Sequence, residues 1–105
     1  MLRLAEALPA FRDELESLLL EAGEFQLAQQ VSSLQIVDRC RCGDDFCSTF
    51  YTGTKPEGSY GPQHRNVVLS PEKGTLILDV VADKIKCVEV LYRDELRTLL
   101  EHALP

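Results

Sequence analysis

No stretch of this 105-residue chain stays apolar for the roughly 20 residues that a helix needs to cross a bilayer. Positive charge is also in short supply, with 11 Lys and Arg against 17 Asp and Glu and a formal charge of −6. Without a basic stripe the chain lacks the electrostatic footprint of a nucleic-acid binder, and little draws it to an anionic membrane surface. Residues 1–9 begin apolar, but Glu6, Arg12 and Asp13 interrupt the pattern before the core of an export leader can build. The expected location is therefore the cytoplasm, with the four cysteines reduced. Also missing are a phosphate loop, a dinucleotide fingerprint, a serine elbow and a metalloprotease histidine pair. Those absences favour a binding or protein-interaction module over an enzyme.

What is present is an ordinary folding composition, 45% hydrophobic and 27% charged, in a length that makes one core. Residues 9–22 place Phe11, Leu15, Leu18, Leu19 and Ala22 at helical spacing, with Pro9 at a first helical position and Gly23 as a cap. A second short helix over 24–32 completes a helical hairpin. The period then changes. Residues 34–42 and 46–52 read as strands around the turn signal Gly43-Asp44-Asp45. The Gly- and Pro-rich 54–65 segment is a loop, 67–69 a short strand, and 75–81 with 85–92 a second hairpin. A helix over 93–104 closes the chain. The expectation is a single α+β domain over 1–105: an N-terminal helical hairpin, a five-stranded, mainly antiparallel meander sheet and a C-terminal helix. Both parities of 75–81 are largely apolar, so that hairpin needs cover on both faces, from helices, a protein partner or a homodimer.

The chemistry-bearing pattern is C-x-C-x4-C at Cys40, Cys42 and Cys47. Alternation puts Cys40 and Cys42 on one face of their strand, and a reversal at Gly43–Phe46 sets Cys42 across from Cys47. Three thiols then share a patch, as a zinc–thiolate site requires, with Cys87 or His64 available as a fourth ligand. Two other accounts stand beside zinc: cysteines packed as small buried hydrophobes, and a thiol with redox or nucleophilic work. In the loop, Tyr60, His64 and Arg65 could grip a carboxylate or phosphate. Three strand carboxylates, Asp38, Asp79 and Glu89, sit among apolar neighbours, where an acid is costly unless paired; Arg39, Arg41, Lys84 and Lys86 are near in sequence.

Residues 74–91, GTLILDVVADKIKCVEVL, resemble the end of a small bacterial family of unknown function, in which a strand and an acidic turn precede a G-I-E-I-L strand. Here Cys87-Val88-Glu89-Val90-Leu91 stands in that place, without the glycine. The CRCGDDFC hairpin is similar to cysteine-containing hairpins of small uncharacterised bacterial proteins, some near toxin–immunity loci. Neither resemblance implies a catalytic residue.

Overall fold

The computed structural model describes residues 2–105. A two-residue strand β1 (Leu2–Arg3) leads into a single helical turn α1 (Leu4–Ala7), the long helix α2 (Pro9–Glu21) and a short α3 (Phe25–Gln30). A 3-10 turn at Val31–Ser33 then turns the chain into β2 (Gln35–Ile36), which pairs back onto β1. The remaining strands are β3 (Asp38–Arg39), β4 (Phe50–Tyr51), β5 (His64–Leu69), β6 (Thr75–Val81) and β7 (Lys84–Leu91), followed by helix α4 (Asp94–Ala103).

Pro9 starts α2 where a missing N–H costs nothing. Gly23, at φ +76, ends it: its N–H donates to the Leu20 carbonyl at 3.1 Å and that of Glu24 to Leu19 at 2.9 Å. Only a residue at ease in the left-handed region makes this pair of bonds cheaply. The stripe Phe11, Leu15 and Leu19 is buried, as are Leu27 and Ala28 of α3 and Leu96 and Leu100 of α4. All of them pack with Phe50, Leu76, Leu78, Val88 and Val90 in one core between the helices and the inner face of the sheet.

The five-stranded sheet is antiparallel throughout, in the order β3-β4-β7-β6-β5. Class, helical N-terminal third, strand number and closing helix agree with the sequence reading, but the order departs from a simple meander. Strands β5, β6 and β7 do follow one another, whereas β4 lies beside β7 and the chain crosses to the far edge through residues 52–63. The reason is burial. Strand β7, with Val88 and Val90 fully buried, gains a hydrogen-bonded neighbour along each edge, and Phe50 is carried over the helices to meet Phe11 edge-on at 5.9 Å. The first hairpin is also shorter than expected, its ladder limited to Asp38 opposite Tyr51 and Arg39 opposite Phe50. Strand β5 is longer by three residues at its start, which draws His64 and Asn66 into the sheet.

The crossing segment closes part of the outer face. The Lys55 ammonium lies 5.6 Å from the centre of the Tyr51 ring, and the Tyr60 ring 5.0 Å from that of His64. The outer parity of the β6–β7 hairpin is thus met partly by this loop and partly by polar groups of the sheet itself. Val68, 69% exposed, stays open.

Candidate metal centre

The register of the first hairpin runs on beyond its ladder. The Cys40 N–H donates to the Thr49 carbonyl at 2.8 Å, and the chain reverses through a turn in which the Cys47 N–H reaches the Asp44 carbonyl at 3.2 Å. Cys47 then bridges to Leu91 of β7, while the Ser48 N–H donates to the Val90 carbonyl at 2.8 Å. The Thr49 hydroxyl accepts the Val90 N–H at 3.1 Å, doing the work of a ladder carbonyl. These bonds fix the returning arm on the sheet, and the sulfurs of Cys40, Cys42 and Cys47 gather with all three within 4.8 Å of one another.

Their surroundings differ. Cys42 is exposed, and Cys40 and Cys47 are half-buried. Burial first, with help from the neighbouring Cys42 and Cys47 thiols, pushes the Cys40 thiol up to about 11 against the opposing pull of the Cys42 amide. Burial acts on Cys47 too, but hydrogen bonds from the Thr49 hydroxyl and amide, and from the Cys42 and Cys40 thiols, outweigh it and hold Cys47 below its ordinary value. Cys47 therefore ionises more readily than Cys40.

Neither expected fourth ligand joins the three sulfurs. Cys87 is buried under the outer face, opposite both Tyr51 and Asp79. Burial first, then the charges of Asp79 and Glu89, drive its thiol strongly upward, which suits a packed thiol and not a metal ligand. The His64 Nε2 lies 2.7 Å from Asp79 Oδ1. Among the described residues no other donor falls inside the 4.8 Å group.

The expected grip of Tyr60, His64 and Arg65 is divided by strand alternation. His64 and Tyr60 meet on the outer face, but Arg65 points to the helices, where its Nη1 and Nη2 each donate to a Glu24 carboxylate oxygen at 3.0 Å. Of the strand carboxylates, Asp38 pairs with Arg41 at 3.1 Å as neighbours in sequence suggest. Asp79 instead sits 7% exposed, accepting Asn66 Nδ2 at 2.9 Å beside His64. Its hydrogen bond to Glu89 requires a proton between two carboxyls. That bond first, and burial second, push Glu89 up to about 7. For Asp79 the bonds from Glu89, His64 and Asn66 outweigh burial and hold it low. The sequence signal of this cluster was the placing of Asp79 and Glu89 among apolar strand residues; that His64 is the partner comes only from the extra length of β5.

A pH prediction follows from Glu89. Its folded value lies above its ordinary one, so the folded state holds a proton that the unfolded chain has lost, and stability falls as pH rises through the ordinary carboxyl range to about 7. Glu89→Gln, which keeps a hydrogen-bond donor toward Asp79, is expected to unfold at a higher temperature than the parent at pH 8. At pH 4 the two should differ little. Thermal melts across this range check it, and an unchanged difference at both pH values contradicts it.

Comparison with protein-family models, with curated proteins and with solved structures finds no match for this chain.

Proposed function

We propose that this protein binds a thiophilic metal ion, zinc in the first instance, through the thiolates of Cys40, Cys42 and Cys47. The observation that carries the reading is the approach of three sulfurs, from two arms of one hairpin, to within 4.8 Å. Tetrahedral zinc with Zn–S bonds of about 2.3 Å sets its sulfurs about 3.8 Å apart, so the group needs to contract by about 1 Å at most. Cys42 lies at a bend before Gly43, whose φ is +85, and can supply that movement without disturbing the ladder. Soft thiolate donors select zinc or monovalent copper over magnesium and calcium. With three ligands from the chain, the fourth position falls to water or to a donor from outside, an arrangement different from a closed four-ligand structural site. Metal analysis of protein purified without chelator or affinity metal tests this. One zinc per chain is the expected result, and protein that neither carries nor takes up zinc or copper ends the reading.

A second reading, attachment to a protein partner or a second copy, has its own apolar footing. The Phe46 and Tyr92 rings stack at 5.4 Å beside the thiol hairpin while 37% and 59% exposed. Sedimentation of the purified chain over a wide concentration range reads the second-copy form directly: a monomer throughout removes it.

A further inference from the structure

All three sulfurs open onto one pocket of 280 Å³ at the junction of the hairpin with α4. Its rim carries Arg39, Arg41 and Arg97, with Asp44 and Glu101 between them. All three guanidiniums are anchored on backbone: Arg39 Nε donates to the Leu104 carbonyl at 2.6 Å, Arg41 Nη1 to the Pro105 carbonyl at 3.1 Å, and Arg97 Nη1 to the carbonyl of Asp44. Arg41 also pairs with Asp38 at 3.1 Å and Arg97 with Glu101 at 3.3 Å, and donors so held can receive the negative oxygen that leaves when a peroxide bond breaks.

The three thiols are not equivalent as pairs. The Cys40 N–H is held to the Thr49 carbonyl, whereas Cys42 lies at the bend beyond that bond and Cys47 follows the turn closed on Asp44, so Cys42 and Cys47 flank the reversal with their sulfurs within 4.8 Å. Cys40 and Cys42 stand two residues apart on one arm, and the backbone bond of Cys40 leaves Cys42 the freer of the two to close on Cys47. Cys42 is also the exposed member, the one a solute meets first.

We infer that the cluster reduces small hydroperoxides, one per chain, and ends as a Cys42–Cys47 disulfide. The Cys42 thiolate attacks the terminal peroxide oxygen; the O–O bond breaks, an S–O bond forms, and the departing oxygen takes a proton to leave as water or an alcohol. The Cys47 thiolate then attacks the Cys42 sulfur, the S–O bond breaks, and hydroxide leaves as water with the second thiol proton. Two thiols have lost two electrons and two protons, and the hydroperoxide has accepted both. In one respect this rests on the proposed metal site: the disulfide removes two of its three ligands, so a bound ion is released.

The test treats the reduced full chain with hydrogen peroxide, both stripped of metal and loaded with zinc. The expected product has lost the mass of two hydrogens, gives a Cys42–Cys47 linked peptide on non-reducing digestion, returns to the thiol form with dithiothreitol, and from the loaded protein frees one zinc per link. Cys40→Ser should still form this link. Cys42→Ser should consume peroxide at least about tenfold more slowly. A link between other cysteines, sulfinic acid without any link, or Cys42→Ser reacting at the parent rate overturns the inference. If zinc does not bind but the link forms in stripped protein, the metal reading falls and this one stands. If zinc binds and peroxide leaves every thiol reduced, the reverse holds.

Discussion

Changing Cys47 to serine is expected to weaken zinc binding by at least about a hundredfold. Loss of an outer-shell partner already costs about 10–100-fold in many sites, and a first ligand contributes more. Cys47 is the sulfur best held for the purpose. Its backbone is bridged to Leu91, the neighbouring Ser48 and Thr49 are bonded to Val90, and the Thr49 hydroxyl and amide favour its thiolate despite burial. Cys87→Ser should leave affinity unchanged, because Cys87 lies outside the three-sulfur group and its thiol is pushed strongly up by burial and by the Asp79 and Glu89 charges. Competition titration with a chromophoric chelator measures both variants. Equal losses from Cys47→Ser and Cys87→Ser would mean that the metal sits elsewhere or that a general loss of fold is being read. Far-ultraviolet circular dichroism of each variant separates those two cases.

Phe50→Ala is expected to destabilise the protein by about 3–5 kcal/mol, the usual cost of emptying a fully buried phenylalanine site. Phe50 is 0% exposed, stands opposite Val88 on the central strand and meets Phe11 of α2 edge-on at 5.9 Å. The loss includes the burial of the ring, the cavity it leaves and about 0.5–1.5 kcal/mol of aromatic pairing. Against a total of about 5–15 kcal/mol for a domain of this kind, the variant is near the edge of folding. Phe46→Ala, four residues earlier on the turn, removes a 37% exposed ring stacked on Tyr92 and should cost only about 0.5–1.5 kcal/mol. Urea midpoints at constant slope compare them; similar midpoints for the two variants would contradict the role given to β4. The same experiment bears on the candidate site, since β4 is what ties the returning arm of the thiol hairpin to β7.

The two results would separate functions that meet in one short segment. Residues 46–51 supply a ligand (Cys47), the groups that bond its backbone and sulfur (Ser48 and Thr49), the main aromatic plug of the core (Phe50), and a wall of the outer-face cleft (Tyr51). Strand alternation makes this possible, because neighbouring side chains serve opposite faces of one sheet.

Local features were legible because their causes are local. The apolar stripe of α2, its Pro9 start and Gly23 stop, the β6–β7 hairpin and the closing helix each follow from the spacing of nearby residues. The gathering of Cys40, Cys42 and Cys47 was legible in their spacing, but the structure brings it about beyond the short β3–β4 ladder, with Cys47 held by its bridge to Leu91 of β7. What only the tertiary structure decided are relations between distant segments. Strand β4 lies beside β7 because burying Phe50 and pairing both edges of the central strand outweigh sequential order. Cys87 and His64, each a plausible fourth ligand by type, are drawn to Asp79 by pairings that the length of β5 and the register of β6 with β7 impose. Arg65 is turned to Glu24 by the parity of a strand whose start the sequence hid within a polar loop. Periodicity fixes which way a side chain faces along its own strand; which neighbour it then meets depends on the free energy of the whole packing, and that is not written in any one segment.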